Sequence, residues 1–317
     1  MLLLPVLALL LAGPGPRWMA RFTGFRRSPG PALVAWQAVG LSAVLSALLV
    51  GPAALISARH GDLVPDVIPV FMPVLDQAAS DVIGSPATLA IALAISGITL
   101  ILLLMSGHRV GTGLRTLRRR HRELVDMLAA PGGADAHPSS GHGHPPAQLP
   151  AWVRILEDVS PTAYCLPGLR QRLVLSRGTL AQLTTDELNA VLVHEQAHLR
   201  NRHDLLLEFF TVLHHTVPAP LRCGAALSEV HLLVEALADR AALRQVGARP
   251  LARALVTMAE SRPPDASLGS GADITATRVR LELIAAAAQP ARMLTTIITA
   301  FAVAVLASPW LLLLSAL

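Results

Sequence analysis

The sequence has little of what nucleic-acid-binding and disulfide-stabilised proteins need. It contains no lysine, and of its 317 residues 15% are charged and 3% are aromatic. Without a basic stripe interleaved with aromatics, a nucleic-acid-binding function is disfavoured, although the formal net charge is +5. The two cysteines, Cys165 and Cys223, are too few for a disulfide framework and too far apart for a metal knuckle. We therefore expect no direct nucleic-acid partner, and a reducing compartment for the domain that carries the cysteines.

Apolar residues are in excess: they make up 53% of the chain and gather in long runs near both ends. A helix needs about 20 mainly apolar residues to cross a bilayer. The runs 31–57, 85–107 and 293–317 are long enough and carry no charge. A further apolar segment, about residues 2–20, is interrupted by a Gly-Pro-Gly-Pro sequence. The sequence thus predicts about four transmembrane helices.

The charges between these runs predict how the spans are oriented. In the loop after the first span, and in the run 109–122 after the third span, every charged residue is an arginine. The loop 59–85 instead carries four aspartates and one arginine. Short basic loops prefer the cytoplasm. We predict a multi-pass protein of the cell membrane with both termini extracytoplasmic. The basic run is expected to extend the third span as a helical stalk that contacts anionic lipid head groups.

Composition divides the chain into four regions. Residues 1–130 form the membrane region with its stalk, and residues 131–150, rich in Pro, Gly, His and Ser, are predicted to be a flexible linker. Residues 151–289 have the length and mixed composition of a compact domain, and residues 290–317 form the last span. The predicted topology makes the compact domain cytoplasmic.

The compact domain contains a helix with metal-binding spacing. Thr184 and Glu187 have the spacing of a capping box, and the helix that follows carries His194-Glu195-Gln196-Ala197-His198. Residues four apart lie on one helix face, so the two imidazoles can converge on a tetrahedral Zn²⁺. Glu195 is rotated by about 100° and can take a proton from the attacking water. The spacing predicts one Zn²⁺ per chain, His194 and His198 as ligands, and Glu195 as the catalytic residue.

A catalytic zinc of this kind takes a third protein ligand, which the predicted helix 225–245 can supply. His231, Glu235 and Asp239 share one face of this helix at four-residue spacing. We choose Glu235 as the ligand and expect Asp239 to orient a ligand histidine. Two alternatives stay open: His231 as the ligand, and Asp239 as an ion-pair partner of a neighbouring arginine.

Three further segments near the motif carry predictions. The short apolar runs 164–166 and 173–176 flank Pro167-Gly168 and predict a small hairpin. His203 has the wrong phase for a metal ligand and is expected to brace the site or to cap the helix end. The apolar stretch 205–213 is expected to be packed core or to rest on the membrane surface.

The order of these motifs resembles the BlaR/MecR-type membrane metallopeptidases, the antirepressor family of β-lactam-sensing systems. The resemblance covers nearly the whole chain and rests on the spans, the sequence 164–168, the HExxH helix and Glu235-x-x-x-Asp239. It implies a gluzincin-type α+β domain in which the residues chosen above bind zinc and catalyse. It also implies that a substrate peptide lies along an edge strand, which we assign to Leu173–Ser176. The extracellular penicillin-binding domain of those sensors is absent from the sequence, so we expect no direct acylation by a β-lactam.

The predicted fold class is therefore a mainly α membrane protein with a cytoplasmic α+β metallopeptidase domain between the third and fourth spans. The predicted function is a zinc endopeptidase that cleaves a cytoplasmic protein, by family analogy a winged-helix repressor in an antibiotic-response pathway. Two alternatives are a quality-control protease of the HtpX type and a non-catalytic signalling scaffold. The shortness of the stretch 205–218 argues against the first, and the intact set of site residues against the second. The expected partners are the bilayer and the protein substrate, with a homodimer left open.

Overall fold

The computed structural model describes residues 3–60, 85–132, 149, 152–168, 171–260, 270–287 and 292–315. Most of the predicted acidic loop and of the predicted linker lies outside these residues. The α-helices are α1 (Leu3–Ala12), α2 (Pro14–Arg21), α3 (Pro29–His60), α4 (Pro86–Leu128), α5 (Arg177–Gln182), α6 (Thr185–Arg200), α7 (His203–Thr216), α8 (Gly224–Val246), α9 (Ala248–Glu260), α10 (Ser270–Ala286) and α11 (Arg292–Leu314). The strands are β1 (Ala130–Pro131), β2 (Val153–Leu156), β3 (Ala163–Leu166) and β4 (Arg172–Ser176).

The chain separates into two units. One unit, here called the apolar unit, comprises residues 1–110, 209–230 and 292–317. The other, here called the sheet unit, comprises residues 111–208 and 231–291. The apolar unit holds the long apolar runs, and the sheet unit holds the four strands and the HExxH motif.

Within the described residues, three helices are long and apolar enough to cross a membrane: α3, α4 and α11. Their positions agree with the three longest predicted spans to within a few residues. The helices α1 and α2 are bent by 40° where they meet, and they make a fourth candidate only if the bent pair is one span. The predicted stalk is also helical. It is the second part of α4, which runs without a break from the apolar segment to Leu128.

Small side chains let the helices of the apolar unit pack closely. Ala35 and Ala53 of α3 are fully buried, and α3 packs against α1 and α11. The hydroxyl of Ser42 donates a hydrogen bond of 2.8 Å to the carbonyl of Val305 on α11, as polar residues do between membrane helices. Large apolar side chains on α4, such as Leu104 at 63% exposure, are largely uncovered by the residues that the structure describes. Such a surface suits a lipid surrounding.

The sheet unit is built on four strands in the order β1-β2-β4-β3. β2 and β4 are parallel, whereas β3 and β4 are antiparallel, with Leu166 opposite Arg172. The predicted hairpin around Pro167-Gly168 is therefore present. The assignment of the edge strand to Leu173–Ser176 is wrong, because β4 lies between β2 and β3 and has both sides occupied. Among the described residues β3 pairs only with β4, so β3 is an edge strand with a free side, as is the two-residue β1 at the other edge.

Both faces of this sheet are covered. Alternate residues of a strand point to opposite faces, so Leu173 and Leu175 lie on one side of β4 and Val174 on the other. Leu173 and Leu175 pack in one cluster with Leu188 of α6, while Val174 packs with Val125 of the stalk. This packing fixes the HExxH helix against the sheet.

Candidate metal centre

A capping box at its N-terminus stabilises the start of helix α6, and packing of its apolar side chains orients it. The Thr184 backbone N–H donates to the Glu187 carboxylate at 2.9 Å, and the Glu187 N–H donates to the Thr184 hydroxyl at 3.4 Å. This is the predicted capping box. Burial of Leu188 and Val191 in the core fixes the rotation of α6, and the neighbouring His194 and His198 face Glu235 of α8.

Two of the predicted ligands come from α6 and the third from α8. One ligand atom each of His194, His198 and Glu235 lies within 4.8 Å of the others. The two Nε2 atoms are 3.2 Å apart, and each lies 3.4 Å from a carboxylate oxygen of Glu235. The structure therefore brings together the three residues that the sequence assigned to the metal.

His231, the rival ligand, does not belong to this group. It lies one turn before Glu235 on α8, and its side chain is exposed. Both residues share a face by spacing, but the packing of α8 turns Glu235 and not His231 toward α6.

Asp239 lies behind His194. Its Oδ1 is 3.0 Å from Nδ1 of His194, and the side chain of Asp239 is almost fully buried. When Nδ1 carries the proton and faces this carboxylate, the lone pair of Nε2 faces His198 and Glu235. Asp239 thus occupies the position predicted for a residue that orients a ligand histidine.

Arg280 of α10 is the residue of the site that the sequence did not reveal. Its guanidinium donates two hydrogen bonds of 2.7 Å to Asp239, and a third nitrogen lies 3.0 Å from Glu235. Asp239 therefore pairs with an arginine on another helix. Burial raises the pKa of Asp239, but the bonds from Arg280 and His194 outweigh this effect and keep the pKa below its usual range.

His203, at the start of α7, contacts the second ligand histidine. Its Nδ1 lies 3.0 Å from Nδ1 of His198, and the two rings meet edge to face with centroids 4.7 Å apart. If His198 offers its Nε2 lone pair to a metal, its Nδ1 carries the proton and donates a hydrogen bond to Nδ1 of His203. His203 therefore braces the site, which is one of the two roles predicted for it.

Glu195 is half-buried and lies beside a thiol. Burial raises the pKa of its carboxyl group, and a hydrogen bond from Cys165 of β3 lowers it by a smaller amount. The same burial and the nearby Glu195 raise the pKa of Cys165, so its thiol remains protonated and donates. A carboxylate with a raised pKa is a better proton acceptor, as a general base requires.

The donor set fits a zinc ion. Two imidazoles and a carboxylate in one cluster leave room for a fourth, open position. Burial lowers the pKa of His198 to about 4, so this ring is neutral near pH 7. Burial also lowers the pKa of His194, but its bonds to Asp239 and Glu235 outweigh it and raise the pKa to about 9. A bound zinc would therefore displace one proton from His194.

A helix-borne HExxH motif, completed by a glutamate from a second helix, defines a metallopeptidase of the zinc-dependent class. Residues 136–296, half of the chain, match the sequence profile of Peptidase family M48. The chain belongs to this family. No curated protein and no solved structure gives a significant match. The narrower resemblance to the BlaR/MecR-type proteins stays a prediction.

Proposed function

We propose that this protein is a membrane-bound zinc endopeptidase that hydrolyses peptide bonds of a protein substrate. His194, His198 and Glu235 are the proposed ligands, and Glu195 is the proposed general base. The observation that carries the proposal is the convergence of the three ligand side chains within 4.8 Å, on two different helices. Membership of family M48 supports the same reaction.

In the proposed reaction each residue of the site has a distinct role. The zinc, when bound, polarises the substrate carbonyl and makes water a stronger acid. Glu195 accepts the proton from the attacking water and returns it to the leaving amine. Asp239 and His203 hold the Nδ1 protons of His194 and His198, so that both Nε2 lone pairs stay directed at the centre.

The free side of β3 is the proposed substrate-binding edge. Cys165 lies in the middle of β3, and its thiol reaches Glu195, so this strand passes beside the general base. An extended peptide that adds to the edge would receive backbone hydrogen bonds and present one peptide bond to the centre. The substrate edge thus moves from the predicted β4 to β3.

The proposed location is the cell membrane, with the protease domain cytoplasmic and both termini outside. The apolar helices and the arginines of the loops support this location. The finer role that we propose is cleavage of a cytoplasmic transcriptional repressor in a signalling pathway, which follows from the resemblance described above. That resemblance is what supports it.

A second candidate is a quality-control protease of the HtpX type that degrades membrane proteins. It is favoured by the apolar half of α7, directly after the HExxH helix. Residues 209–216 belong to the apolar unit, and the Ser106 hydroxyl of α4 donates a hydrogen bond of 2.8 Å to the Val212 carbonyl. This stretch, too short to span a membrane by itself, thus packs against a candidate span.

The deciding experiment compares wild type and Glu195→Gln in the native host by quantitative analysis of new protein N-termini. We expect Glu195→Gln to keep its zinc and to lose cleavage by about 10²–10⁴-fold, because only the proton acceptor is removed. Glu260→Gln, an exposed change, is the matched control. One cleaved repressor supports the signalling role, and many cleaved membrane proteins support quality control. Equal proteolysis by wild type and Glu195→Gln would refute the mechanism.

A further inference from the structure

The sheet unit contains a cleft that the proposed chemistry does not use. It has a volume of about 900 Å³ and is bordered by the stalk part of α4, by α6 and the start of α7, and by the end of the sheet where β3 finishes. Trp152, Pro167 and Gly168 line it at the sheet, and Gln196 and Leu199 line it on the HExxH helix. Sites for organic ligands have volumes of roughly 300–1,000 Å³. The cleft therefore has room for several side chains of a bound peptide.

Six arginines and one carboxylate, that of Asp204, line this cleft, which is here called the basic cleft. Four of the arginines belong to α4, and two lie at the end of α6 or just after it: Arg115, Arg118, Arg119, Arg122, Arg200 and Arg202. The four on α4 follow the spacing i, i+3, i+4 and i+7, so they lie on one helix face. Orientation in a membrane requires basic residues in a loop but no particular helix face. It therefore does not explain why these four border the cleft together.

Most of these guanidiniums have no acidic partner. Arg118 lies 3.4 Å from Asp204 and 3.3 Å from Glu208. Arg119 pairs with Glu123 at 2.9 Å, and both side chains are exposed. Within the described residues, no carboxylate lies within 4.0 Å of the other four, Arg115, Arg122, Arg200 and Arg202.

The unpaired charges can be reached by a ligand. Arg115, Arg200 and Arg202 are exposed, and all three border the basic cleft. A cleft whose walls carry charges of one sign concentrates the electric field and attracts groups of the opposite sign. The basic cleft thus favours an anionic ligand.

The basic cleft lies next to the proposed substrate edge. Cys165 of β3 contacts Glu195, and Pro167 and Gly168, two and three residues further along the chain, line the cleft. At about 3.3 Å per residue, a peptide extended along β3 passes from the general base to the cleft within about 10 Å. The cleft would therefore receive side chains on one side of the scissile bond, about two to four residues away from it.

The position of the arginines along α4 favours a peptide over a lipid head group. The apolar run of α4 ends at Gly107, and Arg118 and Arg122 follow it by 11 and 15 residues. At about 1.5 Å per residue, they lie roughly 17 and 22 Å beyond this run along the helix axis. The head-group layer is only about 5–8 Å thick on each side of the hydrocarbon core. These arginines are therefore placed for a ligand outside the bilayer.

We propose that the basic cleft binds an acidic segment of the protein substrate, close to the bond that is cleaved. Carboxylates match guanidinium groups both in charge and in their paired hydrogen bonds. The edge of β3 pairs with backbone only, so the cleft adds a requirement for charge that the edge does not make. The substrate class rests on the proposed peptidase function, and the test therefore measures binding and cleavage separately.

Binding is measured by fluorescence anisotropy with the zinc-loaded, full-length Glu195→Gln protein in a neutral detergent. The probes are labelled peptides of equal length in which a neutral segment carries four glutamates, placed at either end in turn, or four glutamines in the same places. We expect one of the two glutamate peptides to bind about 10–30-fold more tightly than its glutamine counterpart at low ionic strength. The difference should fall to about threefold or less at about 0.5 M salt, because salt screens exposed charges.

Two arginines without an acidic partner provide the variants. Arg115→Gln combined with Arg200→Gln should reduce the preference for the glutamate peptide to about threefold or less. Arg115→Glu combined with Arg200→Glu should bind a lysine peptide more tightly than the glutamate peptide, which a merely misfolded protein would not do. Arg120→Gln, on the same helix but outside the basic cleft, is the matched control and should keep the wild-type preference. An equal loss in Arg120→Gln would overturn the proposal, because net charge alone would then explain the binding.

Cleavage of the same peptides by the wild-type protein separates this proposal from the proposed function. Equal binding and equal kcat/KM for the glutamate and glutamine peptides would overturn the acidic specificity and leave the peptidase function in place. Tighter binding of the glutamate peptide without cleavage of either would support the basic cleft and count against the peptidase function. If equimolar short-chain phosphatidylglycerol displaced the glutamate peptide, the cleft would be a site for lipid head groups and the proposal would be wrong.

Discussion

Arg280 and Asp239 form a buried ion pair with two hydrogen bonds of 2.7 Å, and Asp239 lies 3.0 Å from His194, a proposed zinc ligand. Only 3% of the Asp239 side chain is exposed. A carboxylate in such a position is costly unless it is paired on every side. Arg280 on one side and His194 on the other provide that pairing. The orientation of the ligand thus depends on a helix, α10, that contributes no ligand itself.

Removal of the guanidinium tests this dependence. We expect Arg280→Ala to lower zinc affinity about 10–100-fold and to destabilise the domain by about 3–5 kcal/mol, because a buried carboxylate loses its partner. Arg280→Lys should recover only part of both losses, since an ammonium cannot donate to both oxygens in the same plane. Arg278→Ala on the same helix, whose side chain is 80% exposed, should change neither quantity measurably. Metal titration and thermal unfolding measure the two effects, and unchanged zinc affinity in Arg280→Ala would contradict the assignment.

His203 gives a second prediction about the support of a ligand. We expect His203→Phe to lower zinc affinity about tenfold, because His198 loses the acceptor that fixes its tautomer. His203→Asn offers a carbonyl oxygen near the same place and should restore part of the affinity. His215→Phe, an exposed change at the end of α7, is the control. Equal zinc affinities for His203→Phe and wild type would show that the contact is only packing.

The stability of the metal-free protein should depend on pH through His194. Its pKa is about 9 in the fold against a usual 6.5, so its contribution is full below pH 6.5 and is lost as the pH rises through 9. The shift corresponds to at most about 3 kcal/mol. Thermal unfolding of the metal-free protein in detergent should show a falling midpoint between these pH values. His194→Ala should lack both this slope and bound zinc, and a flat wild-type profile would argue against the paired imidazolium.

Cys165 should set the acid limb of the activity profile. Its thiol donates to Glu195 and lowers the pKa of that carboxyl group, so Cys165→Ala raises it. Because the base must be ionised, the acid limb of kcat/KM should move to higher pH, with activity at the optimum largely kept. Cys223→Ala, the other thiol, should leave the profile in place. A shift to lower pH in Cys165→Ala, or the same shift in both variants, would be inconsistent with the contact.

The parts of the site that the sequence revealed depend on short-range geometry. The capping box spans four residues, and the pairs His194 with His198 and Glu235 with Asp239 each lie one helical turn apart. Spacing of this kind fixes a shared face before any tertiary contact forms. It could not decide between His231 and Glu235, because both satisfy the same spacing and only the packing of α8 separates them.

The parts that the sequence missed depend on tertiary order. Arg280 lies 41 residues after Asp239, and nothing in its local sequence distinguishes it from Arg278. The strand order was also out of reach: β4 follows β3 in the chain, but it pairs with β2 on its other side, which leaves β3 at the edge. The apolar pattern predicted the hairpin and could not predict which of its strands would be covered.

If β3 binds the substrate as proposed, its position at the edge of the sheet affects which proteins are cleaved. A backbone edge reads no particular side chain; it accepts any stretch of about four residues that can be straightened beside it. A target that holds the scissile stretch in a stable helix is protected, and one that loosens there becomes vulnerable. Selectivity at this edge would then depend on how readily the substrate unfolds at the scissile segment. A small molecule that stabilises this segment would protect the substrate from cleavage without binding the protease.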